Sequence, residues 1–479
     1  MTGPGRPSPQ LSEIISTFQR HYFMPDPGAL LVTLGTVAAN FLDGDPVWLL
    51  VIAPPAWLKT DVIQAVARVR SVHSVGDLSV AGLLTGSPQK DWVPGARGGL
   101  LPTIGSFGIL LWKDFTSVLT MHREKREALL GALREIYDGK YVRTLGNDGG
   151  NTLPWSGKLG IIGACTEAID TCHAVMSTMG ERFVLYRLPR ISEEEQARRA
   201  LAHSSSGGRI RDELAGLVAR FFAELETQPS AAGTPSALQE RLVPLSTLVA
   251  HCRSSVVRDA AREIELVPGS EGPGRIAIVM ERLAAGLLRI GVGEEECWPL
   301  LKKVAFDCVP TRRRGLLELL VAAGRGGSAV NELAVRYSPA TTRRDLEELE
   351  AHRVVVRTDA VGGRAETWQL SQWARERLTA IGGLPGAVDH LGKSVVSEMS
   401  DGSCQPIVSE MSGVSYRDSV SVMSGTPPQT FVSETSGVSS FHLKDKTDIP
   451  ETVPAATRWW TQWSSGWEGD ASVGWGKPN

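Results

Sequence analysis

The chain has 479 residues, 42% of them hydrophobic, enough for roughly two to four domains of about 100 to 200 residues each. Its 50 basic and 53 acidic residues give a formal charge of -3, which excludes a wholly basic nucleic-acid coat and a wholly acidic tail protein. Any nucleic-acid surface must be local.

Six cysteines, at positions 165, 172, 252, 297, 308 and 404, form no Cys-x-x-Cys pair and no Cys/His spacing suited to zinc. They read as reduced thiols of a cytosolic protein. The N-terminus, MTGPGRPSPQ, has no apolar signal core, and the most apolar run, 47–58, is far short of the ~20 residues a spanning helix needs. A cytoplasmic protein with no membrane partner is expected.

In chain order, residues 11–42 carry apolar side chains at helical spacing (Ile14, Ile15, Phe18, then Leu30, Leu31, Leu34, Val37), interrupted by Pro25 and Pro27, which predicts two helices. Apolar strand-like runs follow at 47–53, 72–84, 107–111, 159–164 and 183–188, separated by helical stretches. Strands alternating with helices predict an α/β class with a mainly parallel sheet covered on both faces, because parallel neighbours need crossover connections. From 192 to 310 the pattern is helical, with runs such as 210–225, 238–253 and 275–290, and predicts an all-helical lid.

Residues 311–378 read as helix, short helix, helix and β-ribbon, with Ser338 as N-cap of the third helix and Gly362-Gly363 as the turn of the ribbon. That order is a winged helix. Beyond 382 the composition shifts to Ser, Gly, Val and Thr, and a 12-residue unit recurs from Val396, Val408, Val420 and Val432. The period fits neither a heptad nor a solenoid unit, so a disordered tandem array is expected. The final stretch places Trp459, Trp460, Trp463, Trp467 and Trp475 in a polar context, where they read equally as anchors for an unknown protein partner or as drift.

The chemistry-bearing motif starts at the first strand. VWLLVI leads into Ala53-Pro-Pro-Ala-Trp-Leu-Lys-Thr60 with a helical DVIQAVARV behind it, which matches a phosphate loop (G-x-x-x-x-G-K-[ST]) in Lys59 and Thr60 but not in its glycines, replaced by Ala53 and Leu58. Pro55, Ala56, Trp57, Leu58, Lys59, Thr60 and Asp61 are the expected nucleotide-binding stretch, and Leu58 is expected to hold a backbone angle cheap only for glycine. In GILLWKDF a strand ends in Asp114, placed with Thr60 for Mg²⁺. The glutamate that usually follows is Phe115, leaving Glu124, Glu127 or Glu135 as substitutes. Another strand ends at Thr166, suited to bonding a γ-phosphate or lytic water, and Arg182 precedes the last strand, with Arg187 and Arg190 beyond, where an arginine finger or plain surface ion pairing is expected.

Taken together, DPVWLLVIAPPAWLKTDVI, LLWKDFTSVL, LREIYDGKYVRTLG, WSGKLGIIGACTEAID and GERFVLYRLP resemble a family of P-loop ATPases of the AAA+ kind from bacterial mobile elements and phages, uncharacterised or helicase-like. GERF followed by a helical lid also looks like the minichromosome-maintenance branch. The resemblance spans about residues 10–310 and implies Lys59 and Thr60 as Walker A, Asp114 as Walker B, Thr166 as sensor 1, Arg182 as finger and Arg275 as a sensor 2 that swings onto the γ-phosphate when the lid closes. The family pattern at the loop is Gly-Pro-Pro-x-x-Gly-Lys-Thr, from which this chain departs at Ala53, Ala56 and Leu58. Read along the chain, the layout is 1–44 N-terminal helices, 45–191 AAA+ core, 192–310 lid, 311–381 winged helix and 382–479 tail, and the resemblance implies ATP and Mg²⁺ as cofactors.

Residues 311–378 hold twelve arginines and nine acidic residues, a local excess of positive charge. Thr342, Arg343 and Arg344 on the presumed recognition helix and Arg364 in the wing are the candidate DNA contacts, opposed by Asp345, Glu347, Glu348 and Glu350. Winged helices also dock proteins. Two functions follow: a homo-oligomeric ATPase working on DNA, or an inactive ATPase-like scaffold that binds DNA or a partner.

Overall fold

The structure is a computed structural model; it describes residues 10–85, 98–144, 152–172, 182–228, 233–359 and 365–385. Strands β1 (Trp48–Ile52), β2 (Val72–Val75), β3 (Phe107–Trp112), β4 (Lys140–Thr144), β5 (Thr152–Ser156), β6 (Lys158–Cys165) and β7 (Phe183–Arg187) occupy the first half of the chain. Five of them form one parallel sheet in the order β2-β3-β6-β1-β7. β6 thus lies between β1 and β3, which sets the strand ending at Thr166 between the strands leading to Lys59 and Asp114.

Burial on both faces explains why these strands read as near-continuous apolar runs. On β1, Trp48, Leu50 and Ile52 face helix Arg123–Tyr137, while Val47, Leu49 and Val51 face helix Gly28–Phe41 and the helical region. The second face belongs to a core that continues through Leu248, Met280 and Leu301 to Leu346 and Trp368, so the N-terminal helices and the helical region share one hydrophobic core with the sheet. Helix Gly28–Phe41 is apolar on all sides and almost wholly buried. Asn40 ties it to β1: its amide accepts from Val47 N–H at 3.0 Å and donates to Val47 O at 2.9 Å.

The antiparallel pair β4/β5 was not expected from sequence. Its exposed alternate residues give it little apolar signal. In the helical region, helices Glu193–Ala202, Gly207–Leu225, Ser236–Arg253, Gly274–Arg289 and Glu294–Asp307 are joined by a short ribbon, β8 (Val257–Arg258) and β9 (Ile264–Leu266). Then follow helix Thr311–Ala323, β10 (Ser328–Ala329), helices Val330–Leu333 and Pro339–Ala351, β11 (Val355–Thr358), β12 (Thr367–Leu370) and helix Gln372–Ala380, with a sheet ordered β10-β12-β11. Ser338 caps its helix through Thr341 N–H. The Gly362-Gly363 turn, the 12-residue repeats and the tryptophan-rich stretch lie outside the described residues. Among the described residues no helix is long and apolar enough to cross a membrane.

Candidate functional site

β1 ends against β6: Ile52 pairs with Cys165, and Ala53 N–H donates to Cys165 O at 3.3 Å. The chain then turns through Pro54 and Pro55 and enters helix Lys59–Gln64. The left-handed residue of this turn is Ala56, with φ 62°, not Leu58, whose φ is -41°. The expectation that Leu58 bears the glycine-like angle is therefore corrected. The strain of about 1–2 kcal/mol for an L-residue in that region falls two residues earlier. Leu58 turns its side chain, with Trp57, into an apolar pocket lined by Phe23, Met24, Leu188 and Ile191. Gln196 of the first helix after the sheet donates to Ala56 O at 3.2 Å and braces the turn.

Lys59 is 7% exposed and curls its ammonium back onto the loop, donating to Ala53 O at 2.9 Å and Pro54 O at 2.5 Å. Burial pushes its pKa below the ordinary lysine value, and the negative charges of Asp114 and Glu167 act the other way. Cys165 itself is pushed up to about 12 by burial and is a neutral thiol. Thr60 is exposed in the first helical turn, and Asp61 accepts from Tyr22 Oη at 3.0 Å.

The ends of β3 and β6 are stitched together. Phe115 N–H donates to Ala164 O at 2.8 Å, and Thr166 N–H donates to Thr116 Oγ1 at 3.1 Å. Asp114, exposed, caps this turn by accepting from Thr116 N–H at 3.0 Å. Lys59, Thr60, Asp114 and Thr166 therefore gather at the carboxyl edge of the sheet. Glu167 joins them, an acid that sequence reasoning passed over. It follows Thr166 directly and opens the 3-10 helix Glu167–Cys172.

Arg182 and Arg275 do not join them. Arg182 precedes β7 and so lies at the amino edge, 5% exposed, donating to both carboxylate oxygens of Asp138 at 3.1 Å and lying 5.2 Å from the Tyr137 ring. Tyr137 packs on Trp48, the first residue of β1, and is pushed up to about 12 by burial, with Asp45, Arg275 and Arg182 as its nearby charges. Arg275 thus belongs to the same edge, and it pairs with Glu271 at 3.9 Å. The expected swing of Arg275 onto a phosphate at Lys59 of the same chain is corrected, because the sheet separates the two. Arg187 at the carboxyl end of β7 grips Asp170 at 2.8 and 2.9 Å.

Among the candidate DNA contacts, Thr342 is 2% exposed and packs inside its module, so the expectation that it meets DNA is corrected. Arg343 is exposed and pairs with Glu366 at 3.2 Å; Arg344 is half-buried; Arg364 lies outside the described residues. The acids of this helix turn inward. Asp345 binds Arg312, Glu347 binds Arg258, and Glu348 binds Arg258 and Arg313.

No family model matches the chain, and no curated protein matches it. Among solved structures it is similar to a Cytophaga hutchinsonii protein described as a "putative ATPase", with 14% identity, a TM-score of 0.35, and coverage of 62% of this chain and 85% of that one.

Proposed function

We propose that the carboxyl edge of the sheet binds MgATP and that the chain is an AAA+-type ATPase, acting as a homo-oligomer on DNA in the replication of a mobile element. The observation that carries the reading is the Lys59 ammonium, folded onto the carbonyls of its own loop at the start of a helix, with the stitched turn of Asp114 and Thr166 beside it. On this reading Lys59 exchanges Ala53 O and Pro54 O for β- and γ-phosphate oxygens, which the positive end of the helix also favours. Thr60 and Asp114 suit Mg²⁺, which takes few protein ligands and relies on substrate phosphates; bound there it would neutralise phosphate charge. Thr166 bonds the γ-phosphate or the attacking water. Arg182 and Arg275, at the amino edge, serve the ATP of a neighbouring subunit.

Residues 311–381 are read as a winged helix that meets DNA through Arg343, Arg344 and Arg364. Support comes from the inward pairing of Asp345, Glu347 and Glu348, which removes most of the acidic opposition on that helix. A second reading, an inactive ATPase-like scaffold in a cytoplasmic assembly, is favoured by the left-handed Ala56 and by the buried Phe115 at the position after Asp114. The test measures MgATP binding and phosphate release with and without DNA for the wild type, Lys59→Ala and the pair Arg343→Glu/Arg344→Glu. The motor reading expects turnover lost in the first variant and a weakened, salt-sensitive gel shift in the second. Absence of nucleotide binding at millimolar ATP in the wild type overturns it in favour of the scaffold.

A further inference from the structure

We infer that Glu167 is the general base of the hydrolytic reaction, standing in for the acidic residue that Phe115 displaces after Asp114. The inference rests on the ATPase reading. Its ground is position: Glu167 follows Thr166, whose N–H is bonded to Thr116 Oγ1, and Thr116 N–H is in turn bonded to Asp114 Oδ1. Two residues before it, Cys165 O accepts the Ala53 N–H at the root of the phosphate loop. Three short links thus fix the start of the Glu167 turn to both halves of the cleft. Its side chain is exposed, and among the described residues no ion pair occupies it.

The alternatives lie elsewhere. Glu127 is paired with Arg123 at 2.7 Å on the surface of helix Arg123–Tyr137. Glu135 stands near the far end of that helix, where its charge acts on Tyr141. Glu124, in the first turn of the same helix, has no link to the stitched turn comparable to that of Glu167. Phe115, at the position after Asp114, is wholly buried against Trp112 and Phe183, so that position offers no polar group to the cleft.

In the reaction, the oxygen of a water bonded to the Glu167 carboxylate attacks the γ-phosphorus. The new P–O bond forms as the bond from the γ-phosphorus to the β–γ bridging oxygen breaks, its electron pair staying on ADP. The water proton passes to Glu167 and then to solvent, leaving inorganic phosphate and ADP. General-base assistance of this kind is worth on the order of 10²- to 10⁴-fold in rate.

The experiment compares full-length wild type, Glu167→Gln, Glu167→Asp and Asp114→Asn for ATP affinity by titration calorimetry and for phosphate release at saturating ATP, with melting temperature as a check on the fold. Expected is an ATP affinity for Glu167→Gln within about twofold of wild type, turnover reduced on the order of 100-fold or more, and partial recovery in Glu167→Asp. Wild-type turnover in Glu167→Gln alongside loss in Asp114→Asn overturns the assignment while leaving the ATPase reading intact. An equal fall in affinity and turnover assigns Glu167 to binding and overturns it as well. No turnover in the wild type defeats both.

Discussion

Gly286 crosses Gly35 so closely that a methyl group on Gly286 would stand 2.1 Å from the Gly35 carbonyl oxygen. This backbone-on-backbone contact seats helix Gly274–Arg289 on helix Gly28–Phe41, and Arg282 reinforces it by donating to Leu42 O at 3.1 Å. The region expected to be a closing lid is therefore anchored through this helix to the N-terminal helices.

Gly286→Ala is expected to destabilise the protein by roughly 1–3 kcal/mol, since no low-energy rearrangement makes room beside a carbonyl. Gly131→Ala, in helix Arg123–Tyr137 with open space around it, is expected to stabilise by about 0.5–1 kcal/mol. Thermal melting of the two variants checks both signs, and a melting temperature for Gly286→Ala equal to wild type would refute the close crossing.

Ala56→Gly removes the left-handed alanine in the turn between β1 and helix Lys59–Gln64. After the greater chain entropy of glycine is subtracted, relief of up to about 1 kcal/mol is expected, read as a higher melting temperature. Leu58→Gly is expected to give no such gain and to lose apolar contact in the pocket with Met24 and Leu188. Thermal melting of the two variants distinguishes these outcomes.

His352, 2% exposed, donates from Nε2 to Ser255 O at 3.2 Å and presents Nδ1 to Ser270 Oγ at 3.0 Å, while His251 Nδ1 donates to His352 O at 2.8 Å. Burial lowers the pKa of His352 below the usual histidine value; Arg313 and His251 lower it further, and Glu348 and the bond to Ser255 oppose them. The unfolded chain then binds more protons than the folded one below about pH 6.5, so this contribution is whole above that pH and is lost as pH falls through the lower folded value. Melting temperature is expected to drop between pH 7 and 5, with a shallower slope in His352→Gln. Parallel slopes would remove His352 as a cause.

The main strands were legible because burial on both faces left unbroken apolar runs, as at β1 and β6. Helix Gly28–Phe41 and the helices from Gly207 to Arg289 were legible from apolar side chains at helical spacing. β4 and β5 were not, since they hydrogen-bond as a ribbon while exposing much of their surface. At the site, Lys59, Asp114 and Thr166 could be picked out because each directly follows or ends an apolar segment. Glu167 could not, because an acid after a threonine carries no spacing signal.

By itself the sequence determined which segments form strands and helices and which polar groups stand at their ends, since local periodicity encodes those choices. Only the tertiary structure decided which ends share an edge. It set β6 between β1 and β3, turned Asp345, Glu347 and Glu348 inward, and sent Arg182 and Arg275 to the edge opposite Lys59. The physical reason is that strand order and helix seating follow from packing between residues distant in the chain, such as Gly35 with Gly286, and no local pattern reports it.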